Sequence, residues 1–189
     1  MKIGVLALQG DFREHIEMLK KCEVNVIEVR LPQDLKGVNG LIIPGGESTT
    51  IGNLMQSSGL DKEIIKKNNK GMAIYGTCAG AILLAKEIIG SSQPKLNLLD
   101  VSIKRNDYGR QIDSFEAEIN SKRLGKLNGV FIRAPVIEKV GKSIEVLAEF
   151  DKKPVLVQQG NILASAFHPE LTYNAKVHQY FVNSVVYLK

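Results

Sequence analysis

The chain has 189 residues, 44% of them hydrophobic and 24% charged, enough to build one core without disulfide or metal staples. Apolar residues run along its whole length, which excludes extended disorder. The formal charge of +5 gathers nowhere. Basic residues come as pairs (Lys20-Lys21, Lys66-Lys67, Lys152-Lys153) with Glu23, Glu63 and Asp151 close by, the pattern of a solvated surface and not of a nucleic-acid face.

In chain order, Ile3–Leu8 reads as a strand buried on both faces. Polar Gln9-Gly10-Asp11 follows too soon for a signal-peptide core, and no apolar run approaches the ~20 residues of a membrane span. Asp11 can cap a helix with Ile16 and Leu19 on one face. Val24–Val29 and Gly40–Ile43 read as further strands, and Ser48 or Thr49 can cap a helix to about Ser57. Gly71–Tyr75 is a fourth strand and Ala79–Ile88 a helix. Short β-rich runs follow, at Leu98–Ile103, Ser114–Ile119, Val130–Ile132, Ile144–Phe150, Val155–Gln158 and Ile162–Phe167. Val177, Tyr180, Phe181, Ser184, Val185 and Leu188 mark one face of a last helix. This order predicts a single three-layer α/β domain over residues 1–189. Its central sheet is mostly parallel, with helices on both faces and added antiparallel strands.

Two cysteines are too few for a disulfide framework, so a cytosolic chain with reduced thiols is expected. Cys22, between Lys21 and Glu23, reads as structural. Cys78 does not. Gly76-Thr-Cys78-Ala-Gly80 lies between a buried strand and a helix in the form of a nucleophile elbow, with Cys at the reactive position. Flanking glycines suit a strained turn, and the free N–H groups of the following helix favour a thiolate. The Ala79 N–H can then receive a developing oxyanion.

A thiolate nucleophile needs a proton shuttle. Of the three histidines, His168 in Ala166-Phe-His-Pro-Glu170 is the candidate, with Glu170 as its orienting carboxylate. Pro169 is expected to keep the pair extended, so that both side chains project to one side. His15 and His178 read as surface or packing residues. Pro44-Gly-Gly-Glu-Ser-Thr-Thr50 is no phosphate loop, since it has no Lys and Glu47 would repel a phosphate. It fits better as the source of a second oxyanion donor, the Gly46 N–H.

These residues resemble those of the class I glutamine amidotransferases, through Gly76-Thr-Cys-Ala-Gly80 and Phe167-His-Pro-Glu170. Gly4–Gly10, Pro44–Thr49, Arg105-Asn106, Gly109-Arg-Gln111, Asp113–Glu116 and Phe131–Pro135 are similar to the family of glutaminase subunits that serve pyridoxal 5′-phosphate synthase. The resemblance runs from residue 4 to residue 170 and implies a flavodoxin-like fold. It implies attack by Cys78 on the side-chain amide of L-glutamine, with His168 shuttling protons and Glu170 supporting it. Gly46, Glu47, Ser48, Arg105, Ile132 and Arg133 would line the glutamine site, and Gln9 and Gly10 would sense a docked partner. That partner would be a (β/α)₈-barrel synthase subunit that takes the ammonia for pyridoxal phosphate (vitamin B6) synthesis. Neither metal nor cofactor is implied, nor any nucleic acid or membrane. Two alternatives stay open: a glutaminase feeding another ammonia-using synthase, and a cysteine peptidase or esterase on a related fold.

Overall fold

The computed structural model describes residues 1–105 and 114–187. Asn106, Gly109-Arg-Gln111, Asp113 and Leu188 therefore lie outside the described residues. A nine-stranded mixed sheet organises the chain. Five strands form its parallel half: β1 (Lys2–Leu6), β2 (Asn25–Val29), β3 (Gly40–Ile43), β4 (Ala73–Thr77) and β12 (Ile162–Ser165), in the order β2-β1-β3-β4-β12. Antiparallel strands β11 (Lys153–Gln159), β10 (Glu145–Phe150), β7 (Ser114–Ser121) and β8 (Gly125–Ile132) continue it. A separate three-stranded sheet joins β5 (Ala85–Ile88), β6 (Leu99–Lys104) and β9 (Val136–Val140).

Because side chains alternate along a strand, each parallel strand feeds two cores. Leu41 and Ile43 face α2 (Ser48–Ser58), α3 (Leu60–Asn68) and α4 (Ala79–Leu84). Ile42 faces the opposite side, where α1 (Phe12–Lys20) and α5 (Lys176–Tyr180) pack. The α/β fold with helices on both faces is therefore the one expected. Among the described residues, no helix is long and apolar enough to cross a membrane.

Several boundaries differ from the sequence reading, each for a local reason. Glu47, and not Ser48 or Thr49, caps α2: its carboxylate accepts the Thr49 and Thr50 N–H groups. Asp11 stands before α1 but makes no side-chain cap bond. The helix expected to reach Ile88 stops at Leu84, because Ala85 turns extended and Ala85–Ile88 pairs with β6. Pro169 does not keep its neighbours extended. It opens a 3-10 turn over Pro169–Leu171, a place where its missing N–H costs nothing. The last helix passes into a π-helical turn over Phe181–Val185. The wider turn rotates its apolar face, so Val182 is buried and Ser184 is exposed.

Candidate active site

The C-terminal ends of β1, β3, β4 and β12 converge, where open α/β sheets hold their ligands. β4 delivers Cys78, whose φ of 48° and ψ of −102° are unusual for a residue with a Cβ. Strain of this kind gathers at functional sites and persists where the surroundings fix it. Here the Cys78 N–H donates to the Ser165 carbonyl at 2.8 Å, and neither flanking glycine has room for a side chain. A Cβ on Gly80 would stand 2.1 Å from the Ile43 carbonyl oxygen, and one on Gly76 would stand 2.6 Å from the Gly80 backbone.

β12 delivers His168, 3% exposed, followed by Glu170 at 5%. His168 Nδ1 lies 2.8 Å from Glu170 Oε1. Burial opposes charge on the ring, but hydrogen bonds to Cys78 and Glu170 outweigh it and push the histidine up to about 11. Burial would likewise push Glu170 up. His15 and His168 win instead and hold the carboxyl well below the ordinary carboxylate range. The surroundings thus favour a protonated ring between the sulfur and a buried carboxylate.

A cavity of about 310 Å³ opens in front of Cys78, at the lower end of the range for small-molecule sites, about 300–1,000 Å³. Gln9, Gly46, Glu47, Ser48, Arg105, Ile132, Arg133 and His168 line it with the cysteine. Of the expected site residues, Gly10, Ala79 and Glu170 do not line it directly. A larger cavity of about 650 Å³, near Met1, Val38, Lys67 and Met72, lies at the other end of the strands and is lined by no histidine, cysteine or carboxylate side chain. The chemistry therefore belongs to the smaller one.

The cavity walls are tied together. Glu47 accepts from Thr49, Thr50 and Arg105, the last at 2.8 Å. Burial acts against its charge, but these donors hold the carboxyl at about 2. Arg105 also donates to Thr49 Oγ1 at 3.0 Å and Gln93 Oε1 at 2.7 Å, and Ser48 to Gln93 at 3.2 Å. Arg133 stands exposed at the rim with φ of 41°, and the Ile132 carbonyl lies 4.0 Å from the Cys78 sulfur. Gln9 Oε1 accepts the Glu47 N–H at 2.8 Å, joining the end of β1 to the Gly46 turn.

The sequence reading gave three polar residues beside and behind the cavity no part in the site. His15 and His178 are fully buried, which leaves packing and not the surface of the two places expected for them, and they form a chain with Glu170. Asp11 Oδ2 lies 3.5 Å from His168 Nδ1, and burial raises its carboxyl above the ordinary value. Asp11, His168 and Glu170 could together offer ligand atoms to a metal, but Nδ1 and Oε1 already serve each other. Cys22, as expected, is a structural thiol, donating to the Met18 carbonyl.

Comparison with known proteins places the fold first. The chain superposes on the structure of PurLQS from Thermotoga maritima with a TM-score of 0.76 at 19% identity, covering 100% of this chain and 99% of that one. A structure described as a glutamine amidotransferase matches with a TM-score of 0.93 at 52% identity, over 95% of this chain and 96% of that one. The architecture is that of the class I glutamine amidotransferases, as the motifs suggested. The SNO glutamine amidotransferase family matches residues 5–187, and the chain belongs to that family. Among its relatives, the pyridoxal 5′-phosphate synthase subunit PdxT of Thermus thermophilus is 52% identical over 95% of each chain. The PdxT of Pelotomaculum thermopropionicum is 50% identical, over 98% of this chain and 96% of its own.

Proposed function

We propose that this protein is a cytosolic glutaminase subunit of a pyridoxal 5′-phosphate synthase, hydrolysing L-glutamine and passing ammonia to a separate (β/α)₈-barrel subunit. The observation that carries the reading is Cys78 on its strained turn, hydrogen-bonded to a His168 whose other nitrogen rests on buried Glu170. The names of relatives at about 50% identity supply the synthase. In the proposed reaction the Cys78 thiolate attacks the side-chain amide carbon, and the N–H groups of Gly46 and Ala79 receive the oxyanion. His168 gives its proton to the leaving nitrogen, the C–N bond breaks, and ammonia departs from a glutamyl thioester. The now neutral ring takes a proton from water, which attacks the thioester. Glutamate leaves, and thiolate and imidazolium are restored.

Gly46, Glu47, Ser48, Arg105, Ile132 and Arg133 form the glutamine site in this reading. The Glu47 carboxylate suits the α-ammonium, and the guanidinium groups suit the α-carboxylate. Gln9 and Gly10, packed on the Gly46 turn, convey docking of the synthase. Ammonia release from glutamine, with and without the synthase, tests the whole reading. Cys78→Ala is expected to abolish release while leaving the circular dichroism spectrum unchanged, and persisting turnover overturns the mechanism. Gln9→Ala is expected to reduce stimulation by the synthase, and unchanged stimulation removes Gln9 from that role.

A further inference from the structure

Behind Glu170, opposite the cysteine, two helices each send a histidine into the same buried space. His15 of α1 and His178 of α5 are both 0% exposed. His15 Nδ1 lies 2.9 Å from His178 Nε2. Its other nitrogen, Nε2, faces Thr77 Oγ1 at 3.1 Å and Glu170 Oε1 at 3.4 Å. The Tyr75 ring stands edge-on to both, with centroids 6.3 Å and 6.0 Å away. Its hydroxyl pairs with Ser165 and leaves the histidines to each other.

The placement of protons follows from Glu170. A bare Nε2 lone pair on His15 would point at a carboxylate, so that nitrogen carries the proton and donates, shared between Thr77 and Glu170. With His15 neutral, its Nδ1 accepts and His178 donates through Nε2–H. This leaves His178 Nδ1 as a buried lone pair, and that atom has no partner among the described residues. Every donor in the chain therefore points toward Glu170, which receives His168 from the other side at 2.8 Å.

We infer that His15 is a positioning residue for the reaction: oriented by His178, it donates to Glu170 and holds that carboxylate charged and in the pose His168 needs. The inference rests on the assignment of Cys78, His168 and Glu170 as catalytic groups. Burial keeps His178 neutral, pushing it down to about 3, so it orients His15 without adding a second charge. The charged and titratable groups facing this chain are His168 and Asp11 beside Glu170, Glu14 and Lys21 on and after α1, and Tyr75 and Cys78 along and after β4.

The test combines kinetics with nitrogen and carbon NMR on the full chain with its synthase. In the unmodified protein, the imidazole spectra should show His15 protonated at Nε2 and His178 neutral with its proton at Nε2. A His15 ring with its Nε2 unprotonated overturns the inference without any variant. His15→Phe should lower kcat roughly 10- to 100-fold, the loss of one hydrogen bond to a charged group, with KM unchanged. It should also move the Glu170 carboxyl titration and the acid limb of kcat/KM to higher pH. His15→Gln, which restores an amide donor near the Nε2 position, should recover most of both, and His178→Phe should shift the limb in the same direction. A purely structural role would lower folded fraction and leave both titrations where they were. Failure of Cys78→Ala to abolish turnover defeats the catalytic assignment itself. An inactive Cys78→Ala beside an unshifted His15→Phe defeats only the role of His15.

Discussion

At the scale of single residues, the cysteine turn and the histidines differ in what the sequence could reveal. Cys78 and its glycines stand within five consecutive residues, and the steric demand on them is local: a Gly80 Cβ would meet the Ile43 carbonyl oxygen at 2.1 Å. Gly80→Ala is accordingly expected to cost about 1–3 kcal/mol by overpacking and to lower kcat, read by urea unfolding and ammonia release. His15 and His178 could not be paired in the same way, since 163 residues separate them and each sits alone on its helix. Only the packing of α1 beside α5 brings them together. Their burial has a pH consequence. His178 falls from 6.5 to about 3 in the fold, so on acidification the unfolded chain takes up a proton that the fold refuses. The stability this group contributes is full above about 6.5 and is lost progressively as pH falls toward 3, by up to ~1.4 kcal/mol per unit. His168, raised to about 11, acts in the opposite sense and only above 6.5. Glu170, lowered from 4.5, adds its own loss only below that value. Between pH 6.5 and 4.5, His178→Gln should therefore show a flatter decline in unfolding free energy than the unmodified protein, measured by urea titration at several pH values.

Elements were legible where one residue pattern decides them and less so where two forces compete. The parallel strands announce themselves as unbroken apolar runs because both of their faces are buried. Helix α3 escaped the sequence reading, although Gly59 ends α2 in the left-handed region and Asp61, Glu63, Lys66 and Lys67 complement the helix dipole. It buries only Leu60 and Ile64 fully, too thin an apolar stripe to stand out. The sequence points to Ser48 or Thr49 as the cap of α2, and not to Glu47, because Ser and Thr are better cap formers than Glu in general. Here Arg105 and Gln93 occupy the Thr49 hydroxyl, and Gln93 also takes that of Ser48, leaving Glu47 to meet the helix N–H groups. Glu47→Ala should cost about 1 kcal/mol as a lost cap, a fall of about 2–4 °C in Tm for a chain of this length. It should also leave Arg105 held only by Thr49 and Gln93 and raise KM for glutamine, so calorimetry and kinetics check the same substitution in two ways.

Over the whole molecule, the mixed sheet divides the interior into two cores and gives the active site one rigid edge. The basic excess disperses as the sequence suggested: Lys66 pairs with Glu63, Lys20 with Glu17, Lys153 with Glu138 and Arg123 with Glu145. Such exposed pairs contribute little to stability, so the two apolar clusters carry most of it. One cluster holds Ile64 of α3 and the other Leu19 of α1, on opposite faces of β1, β3 and β4. Ile64→Ala and Leu19→Ala should each cost about 2–5 kcal/mol, through lost burial and the cavity left behind. Among the described residues, Ile64 and Leu19 belong to separate apolar clusters, so the double variant should show the sum of the single losses to within about 0.5 kcal/mol. Urea unfolding of the three variants measures this. A discrepancy well beyond that margin would mean that the faces communicate through the strands. A cavity behind α1 would then be felt at the Gly46 turn and at Cys78, and the active-site edge could no longer be treated as independent of either core.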